Sequence, residues 1–105
     1  MNSQELYHIT ELYYYWRRCL DNNIEGDFTA ENVKELTDYI IEIDDAEVTL
    51  MFAKYFKNAD IKRLEDAIIE SGRADYMCEF AQNVEGANIK KIEDAIIATG
   101  FSDDI

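Results

Sequence analysis

The residues with the most chemistry to offer are acids. Between Asp21 and Glu47 lie ten carboxylates and a single base, Lys34. Within that run Glu31, Glu35, Asp38 and Glu42 follow at steps of four, three and four, which places them on one face of a helix. Neighbours on that face stand roughly 5–6 Å apart along the axis, given the rise per residue. Like charges so spaced repel by a few tenths of a kcal/mol per pair. A chain in need of solubility alone can interleave lysines, as Lys62 and Arg63 do further on. Two readings follow. A one-signed stripe can imitate a phosphate backbone and engage a groove lined by Lys and Arg, or it is a solvated helix face. Asp44 and Asp45 carry the acid past the end of the stripe. Tyr7 and Tyr14, with Arg18 and Glu11, mark a second face in a stretch rich in Tyr, Trp and Arg, the residue types enriched at interface hot spots.

A second set of oxygens occupies residues 21–32. Counted as a twelve-residue calcium loop, Asp21, Asn23, Glu25 and Thr29 stand at positions 1, 3, 5 and 9, Asp27 at 7, Gly26 at 6 and Phe28 at 8. Over this loop the sequence resembles the EF-hand family, and it departs from it twice. Asn32 at position 12 cannot give a bidentate carboxylate, and Glu25 at position 5 is one methylene longer than Asp. Turn and helix-capping chemistry selects much the same residues. The resemblance therefore implies a weak calcium site at most, and no other cofactor is expected.

Catalytic chemistry finds little support. His8 is the only histidine, and Cys19 and Cys78 form no CxxC, so no transition-metal set is in view. Four glycines, each at a turn or helix end, offer no phosphate cradle. No spacing among the many carboxylates singles out an acid and a base. The expectation is a protein that is not an enzyme. Its formal charge of −13 argues against direct contact with nucleic acid or an anionic membrane, which carry the same sign. The two isolated thiols suit a reducing compartment, and no stretch approaches membrane-spanning length. Together these point to the cytoplasm, or to the host cytoplasm if the chain is phage-encoded.

The elements that must position these residues are set by a repeat. Residues 61–72, IKRLEDAIIESG, return 28 positions later as IKKIEDAIIATG at 89–100. The match extends upstream through Phe52-Ala53 and Phe80-Ala81, and a weaker copy falls in register at residues 33–41. Repetition at this period signals stacked supersecondary units. The absence of proline fits an almost wholly helical chain with short connections. The pattern predicts helices near 3–20, 30–43, 45–56, 61–71, 74–84 and 89–98. Either Ser3 or Asn2 caps the first, either Thr29 or Asn32 the second, and Asp60 the fourth. Leu6, Ile9, Tyr13, Trp16 and Leu20 should face inward from the first helix. Phe101 is expected to fold back on the last hairpin, ahead of a frayed 102–104.

The fold expected is thus all-α: three stacked helical hairpins, a short solenoid-like domain over 1–105, with units at about 1–44, 45–72 and 73–100 and a tail at 101–105. Residues 45–100 resemble a family of short α-helical repeats found in phage and bacterial proteins, which implies the hairpin stack and brings no catalytic residues. Joined to small size and the acidic belt, that resemblance points to a phage-type inhibitor of a basic, nucleic-acid-handling bacterial protein. Anti-CRISPR proteins acting on a CRISPR effector are the nearest class. The alternative is a helical-repeat scaffold that binds a protein or peptide, with its acidity serving solubility alone.

Overall fold

The computed structural model describes residues 2–100, and among them the chain is all-α, with six helices and no strand. They are α1 (Ser3–Asp21), α2 (Ala30–Ile43), α3 (Ala46–Tyr55), α4 (Ile61–Glu70), α5 (Ala74–Asn83) and α6 (Ile89–Ala98). Consecutive helices pair as α1–α2, α3–α4 and α5–α6, and the pairs stack through α2–α4, α3–α5 and α4–α5. The stack measures 45 × 29 × 20 Å. The expectation for Phe101 and residues 102–104 lies outside the described residues.

The repeat is visible in the backbone. α3 and α5 start 28 residues apart, as do α4 and α6, and all four are ten residues long. Asp60 and Asn88 cap α4 and α6 by accepting the backbone N–H of Arg63 and Lys91. Each copy ends on a left-handed residue: Gly72 at φ 71°, Gly100 at φ 83° and, in register one unit earlier, Asp44 at φ 59°. Glycine takes that conformation without strain, and Asp tolerates it better than most residues. The core repeats as well. Leu36, Leu64 and Ile92 are fully buried at one register position, and Ile40, Ile68 and Ile96 are buried at the next turn.

α2 resolves its two candidate starts by using both. Thr29 is the N-cap and its hydroxyl accepts the Asn32 N–H. The Asn32 side chain returns the bond to the Thr29 N–H at 3.1 Å, a complete capping box. Asn32 is therefore the third residue of the helix, although its repeat counterparts Asp60 and Asn88 are caps. α1 is capped by Asn2, whose side chain accepts the Glu5 N–H.

α1 has no counterpart in the repeat, and it is held by aromatic packing. Trp16 is completely buried with its ring 5.3 Å from that of Phe52, and Phe52 in turn lies 4.7 Å from Phe56. Ile9 and Cys19 join Trp16 on the buried side of α1. The inward stripe expected for this helix needs one correction: Leu6 is 51 % exposed. On α3, Leu50 is buried at 2 % exposure and belongs to the core beside Val48 and Phe52.

Candidate partner-binding site

α1 and α2 enclose a groove of about 330 Å³ lined by Glu5, His8, Ile9, Glu35, Asp38, Tyr39 and Glu42. Its polar rim holds four carboxylates, and Ile9 and Tyr39 supply apolar surface. Three of the four stripe acids, Glu35, Asp38 and Glu42, are thus brought together on one wall, while Glu31 stands exposed one turn before Glu35. Glu5 and His8, from the opposite helix, complete the groove. Sequence reasoning did not find them, because nothing local states which face of α1 meets α2. The i, i+3 spacing of Glu5 and His8 was the available signal.

The stripe is not uniformly free. His8 Nε2 lies 3.2 Å from Glu35 Oε2, an ion pair whenever the ring is protonated. Arg63 Nη1 meets Asp38 Oδ1 at 2.7 Å. The one-signed stripe is therefore partnered at two of its four members from other helices, Asp38 by the Arg63 guanidinium and Glu35 by the His8 ring. Among the described residues, Glu31 and Glu42 make no ion pair. The pairing of Asp38 is architectural, since Asp66 and Lys91 form the same contact 28 residues later. Lys91 answers as expected for a cation so placed: its hydrogen bond to Asp66 raises its pKa.

The two aspartates after the stripe act on the backbone. Asp44 closes α2 in the left-handed conformation, and Asp45 caps α3 by accepting the N–H groups of Glu47 and Val48. Tyr7 and Tyr14 are exposed at 67 % and 58 %. The carboxylate of Glu11 hydrogen-bonds Tyr7 and holds its phenol above the usual pKa. Tyr14 borders an open hollow with His8, Glu11, Leu12, Tyr15 and Arg18, so His8 joins the acidic groove to this aromatic surface.

The loop after α1 is closed by tyrosine hydroxyls. Tyr55 Oη accepts the Gly26 N–H at 2.9 Å and donates to the Ile24 carbonyl at 2.7 Å, and Tyr15 Oη accepts the Asp27 N–H. Burial is the main cause that lifts the Tyr55 pKa. Gly26 is required here by space, because a Cβ would stand 2.2 Å from the Phe28 ring and 2.8 Å from Cys19 Sγ. Of the calcium-loop candidates, Asp21 is the last residue of α1, and Asn23 (φ 54°), Glu25 and Asp27 lie in the loop. The Thr29 hydroxyl is engaged as the α2 cap. Among the described residues, no group of three or more His, Cys, Asp or Glu side chains is placed to hold a metal ion, and no helix is long and apolar enough to cross a membrane.

Comparisons with protein-family models, curated proteins and solved structures find no match to this chain.

Proposed function

We propose that this protein is an acidic protein-binding module that engages a basic surface through the α1–α2 groove, and that its action is inhibitory. Lys and Arg side chains that would otherwise hold nucleic-acid phosphates enter the groove instead. The observation that carries the reading is the convergence of Glu5, Glu35, Asp38 and Glu42 on one groove with an apolar floor. A lysine or arginine stem can lie on Ile9 and Tyr39 while its charged head meets the carboxylates. Glu31 and Glu42, free of internal cations, extend the negative surface along α2. The exposed Tyr7 and Tyr14 supply apolar anchorage beside it, and the helical stack keeps the whole face preorganised, which lowers the entropy lost on binding. The target class is a nucleic-acid-handling bacterial protein, and a CRISPR effector is the first member to assay.

The test is a triple variant, Glu31→Gln, Glu35→Gln and Glu42→Gln, compared with the native chain in affinity capture from nuclease-treated bacterial lysate. The native chain should retain a basic nucleic-acid enzyme and inhibit it. The variant should lose at least ten-fold in affinity with an unchanged helical circular dichroism spectrum. Inhibition retained by the triple variant removes the acids along α2 as its cause.

A further inference from the structure

The repeat joins its units by a fixed set of contacts, and α6 carries the unused half of that set. Between α4 and α6, Glu65 is only 3 % exposed, and its Oε1 accepts the backbone N–H of Asn88, the α6 cap, at 2.6 Å. Beside it Asp66 pairs with Lys91, the third residue of α6, at 2.5 Å. One unit earlier the ion pair recurs as Asp38–Arg63. Thr37 there holds the place of Glu65 and bonds its own helix at Val33 O, and a hollow of about 340 Å³ lies between α2 and the start of α4.

One unit later the counterparts of Glu65 and Asp66 are Glu93 and Asp94, and both are exposed. Among the described residues Glu93 has no hydrogen bond or ion pair, and Asp94 reaches only Lys90 of its own helix, at 3.7 Å. The apolar flank follows the same gradient. Val33 is buried, its counterpart Ile61 is half-buried beside the turn at Gly86, and Ile89 is 45 % exposed. Ile41 and Ile69 are half-buried, and Ile97 is 71 % exposed. What the next unit covers on α4 lies open on α6.

We infer that the outer face of α6 is a second docking surface, independent of the α1–α2 groove, and that it receives the start of a helix from a basic partner protein. The internal interface specifies the chemistry of that helix: a cap whose backbone N–H is free for Glu93, a preceding turn that lies beside Ile89 as the Gly86 turn lies beside Ile61, and a Lys or Arg at the third position for Asp94. A second copy of this chain does not fit. Its two helix starts with a base at the third position, those of α4 and α6, are already seated on α2 and α4. The others present Glu5, Asn32, Val48 and Tyr76 at that position, and two chains at −13 repel. Residues 101–105 bring two aspartates and no base.

The experiment titrates the full chain, labelled with nitrogen-15, with a synthetic peptide of residues 84–100 held helical by a lactam bridge on its solvent side, and follows amide shifts by NMR. The shifts should centre on residues 89–97. A chain carrying Glu93→Gln and Asp94→Asn should bind at least ten-fold more weakly, and a peptide with Lys90→Glu and Lys91→Glu should not bind. No shifts at millimolar peptide overturn the inference. So do shifts centred on the α1–α2 groove, or an affinity that the doubly substituted chain retains.

Discussion

At the scale of single residues, chemical type alone does not tell a cap from a contact. Asp45 sits in the same acidic run as Glu42, yet its carboxylate receives two backbone N–H groups and begins α3, whereas Glu42 lines a groove. Asp45→Ala should therefore cost about 1 kcal/mol of stability, the usual loss for an N-cap, and leave partner affinity unchanged. Urea unfolding alongside a binding titration separates the two effects, and Glu42→Gln should show the reverse pattern. Asp38 teaches the same point, because its ion pair with Arg63 depends on a residue 25 positions away. The sequence reported the acidity of this region in full. Its division into capping, stacking and free carboxylates depends on which helices meet, and that is set by tertiary packing.

At the scale of helices, the repeat was the most legible feature, since a fixed period constrains both ends of each unit. α4 begins where Asp60 predicted and α6 where the repeat placed it at 89, and the left-handed glycines close them. α1 was harder to read because it has no copy to compare: its boundaries were clear, but its orientation depends on Trp16 reaching the α3 aromatics, and Leu6 fell on the wrong side. The recurrence of Glu65 as Glu93 was also visible, although the sequence marks them as equals. Stacking makes them opposites, one buried over a cap N–H and one in solvent. Glu65→Ala should cost about 1–3 kcal/mol, because the Asn88 N–H loses its partner inside the stack. Glu65→Gln keeps an acceptor and should cost less, and Glu93→Ala should stay within about 0.5 kcal/mol of the native chain. Equal losses at 65 and 93 in chemical denaturation would show that the α4–α6 contact is not what stabilises this interface.

At the scale of the whole molecule, charge acts on folding and on binding with opposite signs. An excess of thirteen negative charges on a stack 45 Å long repels itself within the fold, and the same field draws a basic partner. The screening length falls from about 14 Å near 0.05 M salt to about 4 Å near 0.5 M, and so passes from longer to shorter than the 5–6 Å between stripe carboxylates on α2. Added salt over that range should raise the melting temperature of the free chain, because the repulsion it screens outweighs a few exposed ion pairs that are each worth little. Over the same range the affinity of the α1–α2 groove for its partner should fall steeply, through slower association. The combination is diagnostic. A field that serves solubility alone predicts the rise in melting temperature with salt-insensitive binding. A melting temperature that falls with salt would mean that the ladder from Asp38–Arg63 to Asp66–Lys91 outweighs the net charge, which makes acidity a feature of the stack before it is one of the interface.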